Sequence, residues 1–274
     1  MRSSVWQQSG SAELEVIEKG SCSRNHEVPL LFVHGAWHAA WCWDEHFLDF
    51  FAREGYRALA LSLRGHGNSP APTSLDVCSI RDFVHDVASV AEALPRRPVV
   101  IGHSLGGLVV QKYLEQHESP AAVLLASVPR RGISGAVLRF SRRHPWLTLT
   151  KVLAGDTTAA LGSVELVREH LFSPQTPESL IVAYMGRLQR ESRRAFYLDA
   201  TLASLPKPRC VTTPLLILGA GCDGIFSASE VRATARAYRT DAEFFPDIGH
   251  DMMLEPHWPA VAGRIDRWLG THGL

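Results

Sequence analysis

A serine bracketed by two glycines is the feature of this 274-residue chain that most clearly indicates chemistry. The pentapeptide at 102–106, Gly-His-Ser-Leu-Gly, places Ser104 between the apolar run 99–101 and a helix-like sequence. On a sharp strand-to-helix turn a serine hydroxyl is exposed, and side chains two residues to either side would collide with neighbouring elements. The spacing therefore predicts a nucleophile, with the first helical N–H groups directed at the same space.

A histidine near the C-terminus is the best-placed base for this serine. A serine hydroxyl is too weakly acidic to attack an ester unaided, so an adjacent base must take its proton. His250 lies in a loop after a late strand-like segment, which returns the chain to the carboxyl edge of the predicted sheet. Of the 13 histidines, His103 should point into the turn, whereas His34 and His66 are expected to shape loops by hydrogen bonding.

Strand-like and helix-like segments alternate along the chain, and these elements must position the two residues. The predicted strands cover 12–18, 30–33, 56–63, 99–101, 121–127, 215–218 and 242–245. The predicted helices cover 43–54, 79–94, 104–114, 228–238 and 258–269. This alternation predicts an α/β fold whose mostly parallel sheet has helices on both faces, with 12–18 as a half-exposed edge strand.

One interval of about 80 residues, between the strands 121–127 and 215–218, interrupts the alternation. A structureless connection of that length would argue against the assignment. Instead it contains helix-like pieces at 136–143, 148–153, 164–170, 177–190 and 191–204. The sequence thus predicts an α/β core at 1–129 and 201–274, with residues 130–200 inserted as a helical cap, or lid.

Composition excludes several classes of protein. Basic and acidic residues balance at 28 each, which favours neither nucleic acid nor an anionic membrane as a partner. No apolar stretch has the roughly 18 residues that a membrane span needs, and the N-terminus lacks a signal-peptide pattern. Five scattered cysteines without a Cys-x-x-Cys pair indicate neither a disulfide framework nor a zinc site. A cytoplasmic location is expected.

Four motifs, in this order, resemble the α/β-hydrolase fold over residues 14–269. They are a His-Gly pair at 34–35 after a strand, the Gly-x-Ser-x-Gly turn at 102–106, Asp223 after a late strand, and Gly-His at 249–250. Because this fold hosts many reactions, the motifs indicate fold and catalytic type more strongly than substrate.

The resemblance implies a serine-esterase triad of Ser104, His250 and Asp223, in the chain order expected for this fold. Asp223 follows a buried strand and would fix the tautomer of the imidazole. The backbone N–H groups of Ala36 and Leu105 would form the oxyanion hole. No metal and no organic cofactor is expected.

The segment 34–43 is similar to the plant methyl-ester esterase and hydroxynitrile lyase branch of this family and its bacterial relatives. The lyases of that branch have a lysine beside the catalytic histidine and a threonine near the first oxyanion donor. This chain has Asp251 and Ala36 there, which weakens the lyase interpretation.

The leading hypothesis is a cofactor-free serine hydrolase that cleaves a small or medium carboxylic ester, as a monomer or homodimer. Carbon–carbon bond hydrolysis, thioester hydrolysis and hydroxynitrile lysis on the same triad stay open, as does a small-molecule receptor that retains the pocket. The side chains expected to line that pocket are Trp37, Val128, Phe140, Trp146, Phe226 and Met252.

Overall fold

The computed structural model describes residues 3–6, 13–71 and 73–274, in which eight strands form one sheet. The strands are β1 Ser3–Trp6, β2 Leu14–Lys19, β3 Leu30–Val33, β4 Ala58–Leu61, β5 Val99–His103, β6 Ala122–Leu125, β7 Leu215–Ala220 and β8 Ala242–Phe245. Their order across the sheet is β1-β2-β4-β3-β5-β6-β7-β8. Strands β3 to β8 run parallel, whereas β1 and β2 are antiparallel to their neighbours.

The central strands β3 to β7 are buried along their whole length. A strand buried on both faces reads as a continuous apolar run, and these segments are rich in Val, Leu and Ile. Helices therefore cover both faces, and the predicted α/β-hydrolase architecture is confirmed. The parallel strands end at one edge of the sheet, and that edge holds the candidate site.

The predicted edge strand 12–18 is an inner strand. Ala12 lies outside the described residues, and the observed strand β2 is flanked by β4 on one side and β1 on the other. Its burial alternates at first, as predicted for a half-exposed strand. The edge position was wrong because β1, a segment of four residues, pairs with it in antiparallel register from Ser3 opposite Ile17 to Trp6 opposite Leu14.

The helices outside the interval between β6 and β7 follow the predictions closely, with one exception. They are α1 Trp41–Asp44, α2 Phe47–Arg53, α3 Ile80–Glu92, α4 Ser104–Tyr113, and, later, α9 Ala228–Ala237 and α10 Trp258–Thr271, with a 3₁₀ turn at Leu75–Val77. Ser79 and Asp82 form the capping box expected at the start of α3. The helix predicted over 43–54 is two helices, because His46 leaves helical backbone geometry (φ −143°) and stacks on Trp258.

The interval between β6 and β7 is helical. It contains α5 Ser134–Arg143, α6 Pro145–Leu147, α7 Val164–Leu171 and α8 Glu178–Met185, π-helices at Thr148–Val152 and Arg194–Ala203, and 3₁₀ turns at Ala159–Leu161 and Pro208–Cys210. The predicted helix 177–190 ends early, at Met185. None of the helices in the described part of the chain has the length and apolarity that a membrane crossing requires.

Candidate active site

The turn between β5 and α4 has the close contacts that its glycines predict. Ser104 has a φ of +49°, a left-handed conformation that is strained for a residue with a side chain. A Cβ on Gly102 would lie 2.5 Å from the carbonyl oxygen of Gly106, and a Cβ on Gly106 would overlap the carbonyl oxygens of His34 and Val33. The two glycines thus allow the strand, the turn and the neighbouring loop to approach one another.

The structure brings together the serine, histidine and aspartate that the sequence singled out. Nε2 of His250 lies 2.8 Å from Oγ of Ser104. Nδ1 of the same ring lies 3.0 Å from each carboxylate oxygen of Asp223. The side chains of His250 and Asp223 are 1% and 2% exposed, so water competes little for these hydrogen bonds. In this arrangement the imidazole can take the proton of the serine hydroxyl, and the ionised carboxylate can stabilise the resulting imidazolium.

The loop after β7 holds the carboxylate in place. The backbone N–H groups of Ile225 and Phe226 donate to Oδ1 of Asp223 at 2.8 and 2.9 Å. Burial lowers the pKa of His250, but the charge of Asp223 and its hydrogen bond outweigh burial, and the pKa lies above its ordinary value. The ring is therefore a stronger base than a buried imidazole without a partner.

A second buried carboxylate, Glu255, anchors the loop that carries His250. It accepts hydrogen bonds from the N–H of Gly249 at 3.0 Å, the hydroxyl of Ser173 at 3.0 Å and the hydroxyl of Thr176 at 2.7 Å, and also from the N–H of Ser173. Its side chain has no exposed surface. Sequence analysis missed this residue, because a contact between positions 82 apart leaves no local pattern.

The two expected oxyanion donors lie beside the serine. Ala36, Leu105 and Ser104 all line the same cavity. Within the described residues, no carbonyl or side chain accepts a hydrogen bond from the N–H of Ala36 or of Leu105. Neither N–H group is therefore engaged by another group of the described chain.

The side chains of His103 and His34 form hydrogen bonds with backbone atoms and do not line the cavity. Nε2 of His103 lies 2.9 Å from the carbonyl oxygen of His250, to which it donates, and burial lowers the pKa of His103 to about 3. Nε2 of His34 accepts from the N–H of Leu63 at 3.0 Å. These contacts fit the structural roles expected for the two residues and fix the loops around the site.

His66 contacts the helical interval. Its Nε2 lies 3.2 Å from Oε2 of Glu191, and neither side chain is exposed. Burial opposes a charge on the ring, but the Glu191 carboxylate outweighs it and raises the pKa of His66. Beside this pair, the Gln189 side chain accepts from the N–H of Gly67 and donates to the carbonyl of Gly65. The loop after β4 is thereby fastened to residues 189–191.

A cavity of about 560 Å³ opens above Ser104. Of the six side chains predicted to line it, four do: Trp37, Val128, Phe140 and Phe226. The prediction was wrong for Trp146, which is 71% exposed on the outer surface, and for Met252, which is packed in the core. Apolar lining residues that sequence analysis missed are Ile133, Ala136, Val137, Val152, Ala159, Ala160, Phe196 and Ile225.

Comparisons with known proteins are consistent with this geometry. A model of the alpha/beta hydrolase family matches residues 30–263. The Oryza sativa subsp. indica protein named "Probable esterase PIR7A" is 33% identical over 169 residues, a segment covering 57% of this chain and 64% of the rice protein. The non-heme chloroperoxidase of Streptomyces lividans is 40% identical over 106 residues, 37% of each chain. The chain thus spans less than two thirds of the length of either relative.

Solved structures resemble the chain over nearly its whole length. A thermophilic esterase from Thermogutta terrifontis superposes with a TM-score of 0.71 and covers 96% of this chain and 95% of its own. The two sequences are 20% identical, and at that identity the likeness shows the fold alone.

Proposed function

The chain belongs to the alpha/beta hydrolase family, and from that membership we propose that it is a carboxylic-ester hydrolase that uses Ser104, His250 and Asp223. One observation carries the proposal: the imidazole of His250 lies 2.8 Å from the serine hydroxyl and 3.0 Å from the carboxylate. The name of the rice relative, a probable esterase, supports the same activity.

The reaction proceeds by acyl transfer. Oγ of Ser104 attacks the ester carbonyl carbon while Nε2 of His250 takes the hydroxyl proton. The tetrahedral intermediate then collapses, the C–O bond to the alcohol breaks, and the imidazolium gives its proton to the leaving alcohol. Water then attacks the acyl carbon while the same imidazole takes a proton from it. The bond between the acyl carbon and Oγ of Ser104 breaks, the imidazolium returns its proton to Oγ, and the acid is released. Asp223 stays ionised throughout and stabilises the imidazolium.

The negative charge that develops on the carbonyl oxygen is stabilised by the N–H groups of Ala36 and Leu105. Each donor of this kind contributes about 10²–10³ in rate. Because both donors are backbone groups, a substitution at either position acts by shape and leaves the N–H in place.

The substrate is an ester with an apolar body. Aliphatic and aromatic side chains form most of the cavity wall, and two of them, Trp37 and Phe196, are in contact, with ring centroids 5.6 Å apart. Three arginines line the wall: Arg139 is paired with Glu230 at 2.7 Å and Arg143 with Glu169 at 2.9 Å, whereas Arg142 is exposed. The cavity volume of about 560 Å³ lies within the usual range for small-molecule sites and suits a small or medium ester.

Residues 130–200 act as the cap of the active site in this proposal. They supply one side of the cavity, including Ile133, Phe140, Val152 and Phe196, whereas the core supplies Ser104 and its surroundings. Substrate selection therefore depends on the cap, and bond cleavage depends on the core.

The test is turnover of p-nitrophenyl esters from acetate to octanoate by the wild-type chain and by Ser104→Ala. The variant should lose up to about 10⁶-fold in kcat, and Ser229→Ala, which removes an exposed hydroxyl on α9, should match the wild type. Diethyl p-nitrophenyl phosphate should add one diethylphosphoryl group, located at Ser104 by peptide mass spectrometry. Turnover by Ser104→Ala equal to the wild type would exclude the proposed mechanism.

The same experiment separates the alternatives. Thioesters and a vinylogous 1,5-diketone are assayed beside the oxygen esters, and the highest kcat/KM identifies the bond that the enzyme prefers. Binding of an ester without turnover by the wild-type chain would indicate a receptor instead of an enzyme.

A further inference from the structure

A buried histidine–aspartate pair lies outside the cavity lining and has no part in the proposed reaction. Nε2 of His38 lies 3.1 Å from Oδ2 of Asp251, and both side chains are 1% exposed. His38 follows the His-Gly pair at 34–35, and Asp251 is the residue next to His250. The pair therefore joins the loop with one proposed oxyanion donor to the loop with the proposed base.

The second nitrogen of His38 extends the link to the oxyanion loop. Nδ1 lies 2.8 Å from the carbonyl oxygen of Ala36. Both ring nitrogens thus face oxygen acceptors. Both hydrogen bonds can form when each nitrogen carries a proton and the Asp251 carboxylate is ionised. Burial raises the pKa of Asp251, but His38, through its charge and its hydrogen bond, outweighs burial, and the pKa is lowered.

Nearby charged and titratable groups belong to several elements. His103 approaches Oδ1 of Asp251 at 3.7 Å from the end of β5, and Cys42 in α1 is a thiol whose pKa burial and Asp251 both raise. On the other side, His250 contacts Asp223. Asp251 is thus a buried carboxylate close enough to act electrostatically on the proposed catalytic ring, and it is not one of the residues that line the cavity.

We propose that His38 and Asp251 are positioning residues, a buried ion pair that fixes the Ala36 N–H relative to His250 and adds a negative charge near that imidazole. The inference rests on the proposed function. The Ala36 carbonyl is held through His38, so the orientation of Ala36, and with it the direction of its N–H, depends on the pair. A shift of about 1 Å in such a group can cost about 100-fold in rate.

Two variants separate the two parts of the proposal. Replacing the pair by apolar residues, His38→Phe with Asp251→Leu, removes the link without leaving a single buried charge, so the fold is expected to survive. Asp251→Asn keeps a hydrogen bond to His38 and removes only the charge. Asp247→Asn, which changes an exposed carboxylate four residues earlier, is the matched control.

The readouts are kcat, KM, the pH dependence of kcat/KM, and the inhibition constant of an aryl trifluoromethyl ketone, whose hemiketal oxygen occupies the oxyanion hole. For the apolar pair we expect kcat to fall about 10- to 100-fold with KM changed less than about three-fold. The inhibition constant should rise by the same factor as kcat falls. For Asp251→Asn we expect the acid limb of the pH profile to move to lower pH, because a charge that favours the imidazolium is gone.

An apolar pair that keeps wild-type kcat and inhibitor affinity overturns the positioning role. A loss of kcat with unchanged inhibitor affinity overturns it as well, because the oxyanion hole is then intact. If the variant with both apolar replacements does not fold, the pH profile of Asp251→Asn provides the test. An acid limb of kcat/KM that coincides with that of Asp247→Asn overturns the proposal. Wild-type turnover by Ser104→Ala would instead reject the proposed function, so the two failures are distinguishable.

Discussion

Oγ of Ser104 and Nε2 of His250 lie 2.8 Å apart although 146 positions separate the two residues in the chain. The contact forms because β5 and β8 run parallel in one sheet, so that the loops following them meet at the same edge. The predictions below follow from this contact and from the side chains around it.

The pH dependence of hydrolysis follows from the protonation state of His250. The base must be neutral to take the serine proton, and Asp223 raises the pKa of the ring above its ordinary value. Activity should therefore fall as the pH drops, with the midpoint of the acid limb above about 6.5, the reference value for histidine. The measurement is kcat/KM from pH 5 to 9 by pH-stat titration of released acid. A midpoint clearly below 6.5 would contradict the proposed electrostatics.

Substitution of Asp223 by Asn should keep the loop and remove the charge. The amide oxygen can still accept from the N–H groups of Ile225 and Phe226, so the melting temperature should change little. In a serine–histidine pair that loses its carboxylate, kcat falls about 10⁴-fold, and the same order of loss is expected here. The acid limb of the residual activity should move to lower pH. Asp241→Asn, an exposed carboxylate, serves as the control and should match the wild type.

Alanine substitutions at two helical glycines are expected to change the free energy of unfolding in opposite directions. In Gly106→Ala the new methyl group would overlap the carbonyl oxygens of His34 and Val33, so the free energy of unfolding should fall by about 1–3 kcal/mol or more. In Gly270→Ala, no atom outside the local helix backbone lies within 4 Å of the new methyl group. Alanine is the better helix former, so the free energy of unfolding should rise by up to about 1 kcal/mol. Urea denaturation measures both, and equal effects would contradict the close contact at Gly106.

Acyl-chain preference should depend on Phe140 and not on Trp146. Phe140 lines the cavity, so Phe140→Ala opens space and should shift kcat/KM toward longer acyl chains, by about ten-fold for octanoate over acetate. Trp146 is 71% exposed and lies outside the lining, so Trp146→Ala should keep the wild-type preference. The p-nitrophenyl ester series gives both ratios, and a changed preference in Trp146→Ala alone would show that the cavity is misassigned.

The fold could be predicted where local sequence determines local structure. The buried strands are continuous apolar runs, and the turn at 102–106 needs its glycines because neighbouring backbone lies against them. The same local patterns placed Ser104, Asp223 and His250 at the carboxyl edge of the sheet, since each follows a strand. Their catalytic roles stay predictions that the Ser104→Ala and Asp223→Asn experiments test.

What could not be predicted depends on contacts between distant segments. Strand β1 is four residues long, too short to show a period. Trp146 is apolar, yet sequence pattern alone does not tell which face of a cap helix a side chain occupies. His38 and Asp251 are 213 positions apart, so nothing in either segment indicates the pair. The division into core at 1–129 and 201–274 and cap at 130–200 likewise stays a prediction.

The buried carboxylate of Glu255 has a consequence for protein engineering. Its partners Ser173 and Thr176 lie in the predicted cap, whereas Gly249 lies in the predicted core. A chimera that receives its cap from another hydrolase would lose those two hydroxyl donors unless the graft supplies equivalents. The orphaned anion would then destabilise the loop directly before His250. A chimera joined at this boundary should keep Ser173 and Thr176, or replace them together with Glu255.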